Sequence, residues 1–66
     1  MPAPAYVWWI DELLPSPLRT GGVIVSRLYE YGPFDTIEDA EKIIEQLKLQ
    51  SRFRKSDLRT AREKRS

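Results

Sequence analysis

One stretch of this 66-residue chain carries the apolar period of a helix over three turns. In "TIEDAEKIIEQLK", Ile37, Ala40, Ile43, Ile44 and Leu47 recur at helical spacing and form a stripe wide enough to cover a sheet. Thr36 stands at the N-cap position, and Glu38 and Asp39 suit the positive end of the helix dipole. Asp39 sits at the third helical position, a shortened form of the Thr-x-x-Glu capping box. Glu38 and Lys42 add an i,i+4 pair worth about 0.2–0.5 kcal/mol. One helix covers one face of a small sheet, so the rest of the chain has to supply that sheet.

Two segments before the helix read as strands. "YVWWIDEL" places Tyr6, Trp8 and Ile10 on one side and Val7, Trp9 and Asp11 on the other. "VIVSRLYEY" puts Val23, Val25, Arg27, Tyr29 and Tyr31 on one face, with Ile24, Ser26, Leu28 and Glu30 opposite. The intervening "LLPSPLRTGG" reads as loop, because prolines cannot donate ladder hydrogen bonds and Gly21-Gly22 permits positive φ. An antiparallel hairpin follows, ended by Gly32-Pro33. "SDLRTAREK" fits a third strand, with Leu58 and Thr60 alternating against Arg59 and Ala61, and fits a helix capped by Ser56 equally well. Two strands under one helix are marginal, which favours the strand and an α+β fold: a small antiparallel β-β-α-β sheet on one amphipathic helix. The chain divides into a Pro/Ala arm (residues 1–5), a hairpin-plus-helix core (6–50) and a basic C-terminal segment (51–66), third strand or tail.

A chain this short buries only about 60% of its unfolded surface. It holds no cysteine and no histidine. Structural zinc, haem, iron–sulfur clusters, a Cys nucleophile and a His-dependent triad are therefore not expected. The adjacent acids Asp11-Glu12 and Glu38-Asp39 point apart on a strand or in a first helical turn, so neither pair resembles a catalytic dyad and no catalytic residues are expected. A carboxylate-only cation site stays open, but no EF-hand-like spacing appears, and no metal site, cofactor or small-molecule substrate is expected. "MPAPAYVWWIDELL" lacks a basic n-region and its apolar run is broken by two acids, which predicts a protein without signal or membrane span, in the cytoplasm.

Charge is split along the chain. Residues 1–47 carry three basic side chains against eight acids, −5, and residues 48–66 carry eight against two, +6. Such asymmetry suits a partner with an anionic surface, or simply a solvated end. Two candidate binding surfaces follow. The first is aromatic: Trp8 and Trp9 must face opposite ways, so the helix covers only one of them, and Tyr29 and Tyr31 flank Arg27. The other Trp is exposed, or packed under the Pro15–Pro17 loop or the arm. The second is basic: Arg52, Arg54, Lys55, Arg59 and Arg62, with Phe53 placed to stack on a base. The expected function is a non-enzymatic binding module, an adaptor or regulator docking on a protein partner in a larger assembly. The alternative is nucleic-acid binding through the basic segment, although no recognised nucleic-acid motif is present.

"YEYGPFDTIEDAEKI", preceded by "WW" and an acid, resembles a small cyanobacterial family of unknown function. Its members have a Trp-Trp strand, an aromatic strand ending in Tyr-Phe-Gly-Pro-Phe and a Ser/Thr-capped acidic helix. Trp8, Trp9, Tyr31, Gly32, Pro33, Phe34, Thr36, Glu38 and Ala40 carry the likeness, over about residues 8–42. It implies a shared fold and a cyanobacterial origin, with no established activity. The joint is similar too to that of SPOR domains, which bind denuded peptidoglycan with a β-sheet. That role requires export, so this likeness is read as convergent joint chemistry.

Overall fold

A computed structural model describes residues 5–16, 22–54 and 56–65 of the chain. Three strands, β1 (Tyr6–Pro15), β2 (Val23–Arg27) and β3 (Asp57–Lys64), form one sheet in the order β2-β1-β3, with α1 (Ile37–Lys48) between β2 and β3 in sequence. Both neighbours run antiparallel to β1. The expected α+β arrangement, β-β-α-β with one helix packed on a small antiparallel sheet, is the observed one. Asp57–Lys64 thus form the third strand rather than the alternative helix, pairing from Tyr6↔Lys64 to Leu13↔Asp57. No helix among the described residues is long and apolar enough to cross a membrane.

The ladder divides the backbone of β1 by parity. Leu28 N–H donates to Ile10 C=O at 2.9 Å and Ser16 N–H to Gly22 C=O at 3.0 Å, while Arg65 N–H donates to Ala5 C=O at 2.9 Å. Hydrogen-bonded pairs alternate along an antiparallel ladder. With the registers Asp11↔Arg27 and Tyr6↔Lys64, even-numbered residues of β1 therefore bond towards β2 and odd-numbered ones towards β3. Pro15 illustrates the result. The strand reading ends at Leu13 and the loop reading takes in Leu14 and Pro15, yet both of these belong to β1. The missing Pro15 N–H lies on the β3 side, where β3 ends opposite Leu13, so no bond is lost.

The second strand also departs from expectation. It stops at Arg27, and Tyr29–Tyr31 form a 3₁₀ turn. Tyr29 and Tyr31 consequently do not share a strand face with Arg27. Leu28 is drawn into the core, and Phe34 returns to β1 beside Trp8, with N–H···O bonds of 2.8 Å in both directions. An unbroken β2 would carry Phe34 away from that position. The Gly32-Pro33 peptide is cis.

α1 starts where expected: Asp39 N–H donates to Thr36 Oγ1 at 3.2 Å, a cap worth about 1 kcal/mol. Its buried face, Ala40, Ile44 and Leu47, packs on β1 and β3 with Ile10, Leu28 and Phe53. Trp8, Tyr31, Phe34, Ile43 and Leu58 close the core edge. Glu12, buried on this side, accepts from Ser56 Oγ at 2.6 Å. Residues 1–4 of the arm, the Pro17-to-Gly21 part of the expected loop, and Lys55 lie outside the described residues.

Candidate binding surface on the open sheet face

Side-chain alternation and register assign the sheet's two faces. Trp8, Ile10 and Glu12 face α1; across from them lie Ser26 on β2 and Leu58, Thr60 and Arg62 on β3. The opposite face carries Val7, Trp9, Asp11 and Leu13, flanked by Val23, Val25 and Arg27 and by Arg59, Ala61 and Glu63. Among the described residues no second layer covers this face.

At its centre is a cluster drawn from all three strands. Arg27 Nε donates to Asp11 Oδ1 at 3.0 Å, and Arg27 Nη1 to Glu63 Oε2 at 3.2 Å. Trp9 Nε1 donates to the other oxygen of Glu63 at 3.3 Å. The Arg27 guanidinium lies 5.7 Å from the Trp9 ring centroid, within cation–π range. Tyr29 meets the same ring edge-on, with centroids 5.2 Å apart and planes at 70°. On Trp9's remaining side Gly32 approaches so closely that a Cβ there would stand 3.0 Å from Trp9 Cε3. Trp9 is thus half-buried by the strand–helix joint of its own chain.

Asp11 is only 3% exposed, which makes its pairing energetically consequential. Its hydrogen bond is the main cause holding Arg27 charged beyond the ordinary arginine range; partial burial opposes this, and the charges of Asp11, Glu63 and Tyr29 reinforce it. A raised pKa contributes stability below the unfolded value, so this contribution persists across the whole usable pH range and is lost only in strong alkali. Arg27→Met should leave Asp11 buried without its cation. The expected cost is about 1–3 kcal/mol, less than for a fully buried pair because solvent reaches the guanidinium. Urea unfolding measures it as a lower midpoint at unchanged slope; an unshifted midpoint would mean that water compensates Asp11 fully.

The remaining candidate residues do not gather into one surface. Trp8 lies on the helix side, half-buried, and Tyr31 packs against the core. Phe53 is 1% exposed, so the expectation that it stacks on a base is corrected: the ring fills the space beneath α1. Arg52 lies over that ring, 4.7 Å from its centroid, and pairs with Glu30 at 3.6 Å. Arg65 pairs with Asp35 at 3.2 Å. Arg54, Arg59 and Arg62 are exposed and hold no carboxylate among the described residues. Strand alternation sends Arg59 to the open face and Arg62 to the helix side, where its guanidinium sits 4.4 Å from the Tyr6 ring centroid. The basic segment is therefore dispersed over two faces.

Sequence reasoning missed the exposure of the outer strand. Val23 and Val25 on the open face are 58% and 50% exposed, and Ile24 on the helix side is 47% exposed, since the helix rests on β1 and β3. The available signal was the run "VIV" itself, which lacks the polar alternation of a strand with one solvated face. A shallow groove of about 260 Å³ runs between α1 and β3, lined by Glu41, Ile44, Glu45, Lys48, Leu58 and Thr60. Among the described residues no three His, Cys, Asp or Glu side chains stand together as a metal site would require. No protein-family model matches the chain, and neither a curated protein nor a solved structure matches it.

Proposed function

We propose that this chain is a non-enzymatic binding module, a cytoplasmic adaptor or regulator that docks on a protein within a larger assembly through its open sheet face. One observation carries the reading. Trp9, Arg27 and Tyr29, the residue types that most often anchor interfaces, stand together on an uncovered face, and Tyr29 is 68% exposed. Asp11, Glu63 and Gly32 already hold Trp9 and Arg27, so docking orders few additional side chains. Leu13, Val23 and Val25 extend the same face as an apolar shoulder.

The test is affinity capture with the tagged chain beside Tyr29→Ala. The native chain should retain one stoichiometric protein. The variant should retain it roughly 30-fold more weakly, as for an interface anchor, while staying folded with a stability loss of only about 0.5–1.5 kcal/mol from the missing edge contact with Trp9. Equal retention by both chains would move the interface off this face. The competing nucleic-acid reading rests on Arg54, Arg59 and Arg62. Binding to single- or double-stranded nucleic acid at low salt, falling steeply as salt rises, would replace the protein-docking reading.

A further inference from the structure

The two sheet edges differ in how they are protected. β3 carries Asp57, Arg59, Arg62, Glu63 and Lys64, the charged guard usual on a solvent-facing edge. β2, "VIVSR", carries only Arg27, and that charge is engaged inside its own chain by Asp11 and Glu63. The parity of the ladder identifies the backbone groups left over on this edge. Gly22 and Leu28 bond to β1, so within β2 Ile24 and Ser26 turn inwards, and the N–H and C=O of Val23, Val25 and Arg27 point outwards. This edge is flanked by aliphatic side chains about half exposed on both faces of the sheet.

We infer that β2 pairs with β2 of a second copy, antiparallel about a two-fold axis, to make a continuous six-stranded sheet. The occupant is a second copy because the edge is self-complementary in hydrogen bonds, in apolarity and in charge. With Val25 opposite Val25 of the second copy, strand overlap is complete. Val23 then faces Arg27 of the other chain, and each of these pairs exchanges two backbone hydrogen bonds. No like charges meet, since each Arg27 is neutralised within its own chain and lies opposite an aliphatic residue. Val23 and Val25 of both copies form one apolar row on the open face, and Ile24 packs diagonally across the axis on the other. An isologous contact of this kind closes and does not propagate into fibres. Its small area belongs with weak, transient interfaces, with a dissociation constant on the order of tens of micromolar.

Sedimentation velocity from about 5 μM to about 500 μM covers that range. The weight-average mass of the full chain should rise from that of one chain towards that of two. Val25→Pro removes an outward N–H without touching the bond to β1, a position where an edge strand tolerates proline. Val25→Lys sets two ammonium groups against each other across the axis. Both variants should stay monomeric throughout the range, with the native circular dichroism spectrum. Arg62→Pro, which removes an outward N–H from β3 instead, should dimerise like the native chain. A native chain that remains monomeric at the highest concentration overturns the inference. So does a folded Val25→Lys chain that dimerises normally, or loss of the dimer in a folded Arg62→Pro chain. Tyr29→Ala, which weakens docking in the proposed function, should leave the dimer intact, so the two readings fail separately.

Discussion

Phe53→Ala should leave the chain without a cooperative thermal transition. Among the described residues Phe53 and Ile10 are the largest fully buried side chains, and both belong to one buried cluster with Leu28, Ala40, Ile44 and Leu47. Truncating a buried phenylalanine typically costs about 3–5 kcal/mol, combining lost transfer energy with the cavity left behind. A core of this size supplies rarely more than about 3–5 kcal/mol in total. The substitution therefore removes the whole margin. Circular dichroism against temperature should show a broad, featureless slope. The exposed neighbour serves as control: Arg52→Ala loses one surface pair with Glu30 and should shift stability by less than about 1 kcal/mol. A sharp melt in Phe53→Ala close to the native temperature would return Phe53 to the surface and reopen a stacking role.

Ending the chain after Lys55 should have an effect at least as large. β3 pairs with β1 along all of its eight residues, so its removal strips the odd-numbered backbone groups of β1 of their partners. Leu58 leaves the core edge, Glu12 loses the Ser56 hydroxyl, and Glu63 no longer bridges Arg27 and Trp9. Each buried polar group left without a partner costs about 1–3 kcal/mol beyond the lost packing. The amide region of a proton–nitrogen correlation spectrum should collapse to unfolded dispersion. A truncated chain with native dispersion and melting temperature would make β3 an appendage.

Local signals carried much of the fold. The cap at Thr36 gives the start of α1 to the residue, and the stripe from Ile37 to Leu47 gives the side it turns to the sheet, because a capped amphipathic helix is specified by near neighbours. The opposed faces of Trp8 and Trp9 follow from strand geometry alone. What escaped was decided at long range. "VIVSRLYEY" alternates without a break, and nothing within it reveals that Leu28 belongs in the core or that Phe34 must return to Trp8. Leu14 and Pro15 read as loop because proline opposes strands, yet here its absent donor falls past the end of β3. The candidate surface was legible in the same degree. Trp9, Arg27 and Tyr29 stood out by residue type, and they do lie together. Their carboxylate partner Glu63 is 54 residues from Trp9, inside a segment whose net charge pointed only to cations. Phe53 was misplaced for a related reason: arginines on either side mark a surface segment on average and say nothing of the one side chain turned inwards.

The central position of β1 also has a kinetic side. β1 lies early in the chain, and its odd-numbered backbone groups find partners only in β3, after α1 has been made. During synthesis the hairpin and the helix can form as they emerge, while Val7, Trp9 and Asp11 wait on a strand with one side unpaired. Closing that side brings together residues more than forty positions apart, the kind of contact that sets the pace of folding in small proteins. Until then the waiting strand is the segment most exposed to mispairing with other chains, and a chaperone holding the nascent protein would find it in Tyr6–Pro15.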